Sequence, residues 1–67
     1  MKRNFFGENL KHNRLKKELS QRDLARVLNV SNQTVSYWEI GKREPCLDDL
    51  IKISEYFDIS LDELLLE

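Results

Sequence analysis

The stretch from Leu19 to Glu39, LSQRDLARVLNVSNQTVSYWE, holds two helix starts too close together to be joined by anything but a turn. Leu19, Ser20 and Leu24 make the first start, and Val30, Ser31 and Val35 repeat it. In each, an apolar residue precedes a serine and another follows four positions on, the pattern of an N-cap with its hydrophobic staple. The serines lie eleven residues apart, and only Asn29 and Val30 remain to connect the helices. The spacing predicts helices over about Gln21 to Leu28 and Asn32 to Ile40 that cross steeply, a helix-turn-helix. Asn29 tolerates the left-handed conformation with which a chain leaves a helix. Such a pair presents one helix to a DNA groove.

The apolar positions agree with this geometry. Leu24, Ala25 and Leu28 share one face of the first of these helices, and Val35 and Trp38 share one face of the second. Ala25 is the small residue that a close helix crossing needs. Before them, a helix over about Phe6 to Glu18 turns Phe6, Leu10 and Leu15 inward, followed by Leu19, with Lys11, Lys16 and Lys17 outward. Gly41 ends the third helix, Lys42 and Arg43 form a basic loop, and Pro45 closes it. A fourth helix then begins with Cys46 at its N-cap and puts Leu47, Leu50, Ile53, Ser54 and Phe57 on its core face. A thiol caps poorly. The fifth opens at Ser60, with Glu63 in capping-box register and Ile59 and Leu64 as the staple. The expected fold is all-α, a compact five-helix bundle forming a single domain over residues 1–67.

A chain of 67 residues with 40% hydrophobic content lies near the lower limit for a core without disulfides or metal, with about 3–5 kcal/mol of net stability. One cysteine and one histidine make neither an internal disulfide nor a structural zinc site. There is no glycine-rich phosphate loop and no catalytic constellation, so no enzymatic activity, cofactor or small-molecule ligand is expected. The start, MKRNFFGENLKHNRLKK, lacks the apolar segment of a secretion signal, and no run is long enough to span a membrane. A cytoplasmic location is expected.

A net charge of −1 argues at first against nucleic acid. The distribution reverses that reading. Residues 1–43 carry ten Lys and Arg against four Asp and Glu, whereas residues 44–67 carry one against eight. A basic front suits phosphates, and an acidic back suits water or a protein partner.

Turning the third helix at about 100° per residue leaves Gln33, Ser36, Tyr37 and Ile40 pointing away from the core, with Asn32 flanking them. A row of amides and hydroxyls without charge is unusual for a plain surface helix. Asn and Gln bond adenine N6 and N7, and hydroxyls bond several bases. Asn32, Gln33, Ser36 and Tyr37 are therefore the candidate base readers. Gln21 opens the second helix, where free N–H groups and the helix dipole favour an anion. Thr34, Lys42 and Arg43, with Lys11 and Asn13 on the first helix, are the other candidate phosphate ligands; such contacts position without specifying sequence.

Through LSQRDLA, VSNQTVSYWE, GKREP and ISLDELL, in that order and spacing, the chain resembles the Cro and phage-repressor (Xre) family of helix-turn-helix proteins from about Leu10 to Leu65. The resemblance implies a lambda-repressor-like domain that binds double-stranded DNA as a transcriptional regulator, more often a repressor. It implies a base-reading role for the N-terminal residues of the third helix, and a Gln21 that bonds the DNA backbone and can brace Asn32. It also implies an ion pair between Arg14 and Glu39 that sets the angle of the reading helix. Three residues depart from the family pattern: Asn13 where an aliphatic residue is frequent, Glu18 where glycine is, and Ile40 at an outward site that is often polar. One such module reads few base pairs, so a homodimer on a two-fold operator is expected. Leu61, Leu65 and Leu66 are candidates for its seam. The rival reading is a protein-interaction module, of antitoxin or adaptor type, working through the acidic fourth and fifth helices.

Overall fold

The computed structural model describes residues 5–66. Among them the chain forms five helices and no strand: α1 (Phe6–Lys16), α2 (Gln21–Leu28), α3 (Asn32–Ile40), α4 (Leu47–Phe57) and α5 (Leu61–Leu65). The all-α expectation stands.

Three of the helices start as their serines require. The side chains of Ser20, Ser31 and Ser60 accept hydrogen bonds from the backbone N–H of Asp23, Thr34 and Glu63, which satisfies a donor with no partner inside the helix. The staple residues that follow, Leu24, Val35 and Leu64, are fully buried, with Leu19, Val30 and Ile59 packed around them. Cys46 caps α4 without any side-chain bond to the backbone; its thiol lies 3.3 Å from Asp49 Oδ2 instead. Asn29 (φ 59°) and Gly41 (φ 78°) leave their helices in the left-handed conformation.

α1 is shorter than its periodicity suggests. It ends at Lys16, and Glu18 takes φ 59° while Leu19 N–H returns to Arg14 O at 3.1 Å. The chain thus turns through a left-handed residue that is not glycine. Leu15, expected inside, is 53% exposed. The buried stripe of α1 is Phe6, Leu10 and Arg14, spaced four apart, and Leu15 lies about 100° further round. Arg14 holds the inward place because its partner Glu39 is also inside. Leu47, likewise expected in the core, is 64% exposed. Ile53 and Phe57 define the inner arc of α4, and Leu47 falls at its edge in the first turn.

The core is built from Phe6, Leu10, Leu24, Ala25, Leu28, Val35, Trp38, Ile53, Phe57 and Leu64. Phe6 and Trp38 meet edge to face, ring centres 6.0 Å apart. Gly7 lets α1 approach α3: a Cβ at that position would sit 2.6 Å from Trp38 O and 2.8 Å from Glu39 O. At the other end of the chain, Asn9 donates to Leu64 O and Leu66 O at 2.9 and 2.8 Å, and Phe5 N–H donates to Leu65 O at 2.9 Å. The carbonyls at the end of α5, which have no partner within so short a helix, are thereby satisfied from α1. Lys52 Nζ does the same for α2, donating to Leu28 O at 2.9 Å.

Candidate nucleic-acid interface

Side chains from α1 and α2 converge on Glu39, in the last turn of α3. Arg14 grips its carboxylate with two bonds, Nε to Oε2 at 2.7 Å and Nη2 to Oε1 at 3.1 Å, and donates from Nη1 to Leu19 O at 2.8 Å. Gln21 Nε2 donates to Glu39 Oε1 at 3.0 Å. The side chains of Arg14 and Glu39 are only 9% and 3% exposed, and no buried side-chain nitrogen or oxygen among the described residues lacks a partner. A buried charge pair tolerates little displacement, since separation leaves each ion desolvated. The network therefore fixes the direction of α3 relative to α1 and α2.

Gln21 does not brace Asn32. Its amide turns to Glu39, at the opposite end of α3, and keeps one N–H and its oxygen for other partners. The sequence reading also missed Asp23, whose carboxylate accepts Ser20 N–H at 3.1 Å while Asp23 N–H donates to Ser20 Oγ at 2.9 Å. This reciprocal cap holds the Asp23 carboxyl below its ordinary pKa, chiefly through the backbone N–H of Ser20 and then through its hydroxyl. The positive end of the α2 dipole thus already faces one anion. The signal for it was present as Ser20 followed three residues later by an acid.

Held in this way, α3 turns Val35 and Trp38 into the core and leaves Asn32 and Gln33 exposed, with Ser36 and Tyr37 half-buried beside them. Ile40 is 69% exposed at the far end. No charged side chain lies in the first turn of α3, and Glu39 is engaged by Arg14, so the outer face offers neutral donors and acceptors. Gln33 Nε2 donates to Tyr37 Oη at 2.9 Å. Thr34 is half-buried, and its hydroxyl lies 2.7 Å from Ser31 Oγ, so it belongs to the cap as much as to the surface.

Lys42 and Arg43 are exposed directly after α3, their backbone N–H groups bonded to Tyr37 O at 2.9 and 3.4 Å. Lys42 Nζ and the Arg43 guanidinium carbon lie 5.3 and 5.6 Å from the Tyr37 ring centre. Both cations are gathered against the end of the neutral face. On α1, Lys11 is exposed, whereas Asn13 is half-buried and donates to Asn9 O at 2.8 Å. At the far side, Leu61 and Leu66 are exposed, while Leu65 packs against the core. Among the described residues no group of acidic, histidine or cysteine side chains is placed to hold a metal ion, and no helix is long and apolar enough to cross a membrane.

Comparison with known proteins gives this geometry a family. A helix-turn-helix family profile matches residues 10–64. The HTH-type transcriptional regulator YqaE of Bacillus subtilis is 43% identical over 60 residues, covering 90% of this chain and 52% of its own. The chain thus spans about half the length of that relative. A crystallised transcriptional regulator from Listeria innocua superposes with a TM-score of 0.89 at 34% identity, over 96% of this chain and 60% of the other. The P22 c2 repressor, crystallised with a synthetic operator, superposes with a TM-score of 0.85 at 33% identity, over 91% of this chain and 92% of its own. The chain belongs to the Cro/C1-type helix-turn-helix family.

Proposed function

We propose that the chain acts as one DNA-binding domain of a cytoplasmic transcriptional regulator, a repressor, that reads duplex DNA by laying α3 in the major groove. The observation that carries this reading is the neutral outer face of α3, with Asn32 and Gln33 exposed and the cations Lys42 and Arg43 at its end. Amide side chains match the donor and acceptor pairs of base edges, and cations beyond the helix end meet flanking phosphates. The likeness to a repressor crystallised with a synthetic operator supports the same role. Gln21, Lys11 and Arg43 supply phosphate contacts on either side of the helix, together with Lys42; Thr34 and Asn13 contribute less, because their polar atoms already serve their own helices.

Two copies bind a two-fold operator, with half-sites about 34–36 Å apart or a multiple of that. Leu61 and Leu66 offer the apolar surface for the seam, and Leu65 supports it from beneath. Selection of bound duplexes from a random pool, followed by a salt titration on the selected sequence, tests the reading. An inverted repeat and an affinity that falls by roughly 0.9 log unit per phosphate contact for each decade of salt are expected.

A second reading has one observation in its favour. Leu47 and Ile51 are exposed on α4 beside Asp48 and Glu55, a mixed apolar and acidic surface suited to a basic protein partner. Binding that survives Lys42→Glu and Arg43→Glu but fails on Leu47→Lys would favour it.

A further inference from the structure

Tyr37 touches both kinds of candidate DNA ligand. Its hydroxyl oxygen accepts from Gln33 Nε2 at 2.9 Å, one helical turn away on the same face. Its ring lies against Lys42 Nζ at 5.3 Å and the Arg43 guanidinium at 5.6 Å, and its carbonyl holds the backbone of both. Tyr37 is half-buried, whereas Gln33, Lys42 and Arg43 are exposed. An exposed glutamine ordinarily samples many rotamers. Here its amide is tied to a ring that the helix and the basic loop hold in place.

We propose that Tyr37 is a positioning residue that sets sequence preference by holding the Gln33 amide in one orientation, with adenine as the base that orientation fits; this rests on the DNA-binding reading above. The amide nitrogen has two N–H donors. One goes to the phenol, which leaves the second N–H and Oε1 facing outward as a donor beside an acceptor. Adenine offers the complementary pair in the major groove, N7 as acceptor and N6 as donor. With the amide reversed and the phenol donating to Oε1, two donors would face outward and would suit N7 and O6 of guanine instead. The orientation at Tyr37 therefore selects between purines. The ring has a separate role: it keeps Lys42 and Arg43 at the end of α3, where they act on every sequence alike. Hydroxyl and ring are separable by substitution.

The test starts from the duplex that the wild type selects from a random pool and measures competition by its single-base-pair variants. Wild type, Gln33→Ala, Tyr37→Phe and Tyr37→Leu are compared, with helical content monitored by circular dichroism. Gln33→Ala abolishes preference at one base pair, and the wild type prefers adenine there. Tyr37→Phe, which keeps the ring, lowers that same preference roughly three- to tenfold, the range of one lost hydrogen bond, and leaves affinity for random duplex within about twofold. Tyr37→Leu adds a loss of about two- to fivefold per cation contact on all duplexes. Full preference retained in Tyr37→Phe, or guanine preferred at the Gln33 position, overturns the proposal while leaving DNA binding intact. A wild type that selects no consensus overturns the underlying reading and this proposal with it. The phenylalanine variant decides the matter even where the leucine variant fails to fold.

Discussion

Arg14 and Glu39 form a two-bond ion pair inside the protein, joining the end of α1 to the end of α3, with Nε to Oε2 at 2.7 Å. Arg14→Leu leaves the Glu39 carboxylate buried with only Gln21 as partner. Removing one member of such a pair destabilises by about 3–5 kcal/mol, comparable to the whole stability of a domain this small. The variant should be largely unfolded at 25 °C by circular dichroism. Arg14→Leu combined with Glu39→Leu should recover much of the loss in urea titrations, because no uncompensated charge remains. A single variant that loses less than about 1 kcal/mol would mean that the pair is solvated.

Gly7 stands in the first turn of α1, where replacement of a glycine by alanine would ordinarily stabilise by up to about 1 kcal/mol. Here the added Cβ meets Trp38 O at 2.6 Å and Glu39 O at 2.8 Å, and backbone cannot step aside as a side chain can. Gly7→Ala should destabilise by about 1–3 kcal/mol, seen as a lower urea midpoint at unchanged slope. A gain in stability would show that α1 and α3 stand further apart.

Glu18 holds φ 59° without the freedom of glycine, and a side chain in that conformation costs about 1 kcal/mol. Glu18→Gly should raise the melting temperature by about 4–8 °C per kcal/mol gained. A lower melting temperature would place the end of α1 elsewhere.

The reciprocal cap at the start of α2 makes stability depend on acid. Asp23 has its folded pKa lowered by Ser20, so it adds stability that is complete above its unfolded value of about 3.9 and is lost as pH falls through the lower folded value. As pH falls below about 4, the wild type should lose more stability than Asp23→Asn does. Parallel curves for the two proteins would remove the cap from the account.

Much of this architecture was legible in the chain because its signals are local. Ser20, Ser31 and Ser60 mark helix starts through bonds that reach only three residues, and Asn29 and Gly41 mark ends through their own backbone preference. What escaped depends on contacts distant in sequence. Periodicity placed Leu15 and Leu47 inside because it identifies an apolar stripe without fixing the centre of the buried arc; Arg14 shifted that centre on α1. The capping of α5 by Asn9 spans the length of the chain, and the need for Gly7 appears only when α3 lies across it. On α3 the outward row followed from the residues alone, whereas the tie of Gln33 to Tyr37 and the turn of Gln21 toward Glu39 required side-chain geometry.

If the neutral face of α3 reads base pairs, the affinity ratio between selected and random duplex separates Gln33→Ala from Lys42→Ala. Gln33→Ala should lose about 1–3 kcal/mol on the selected duplex and almost none on random DNA, so the ratio collapses. Lys42→Ala should weaken both alike and leave the ratio unchanged. Equal losses on the two duplexes for Gln33→Ala would mean that this face of α3 does not read base pairs.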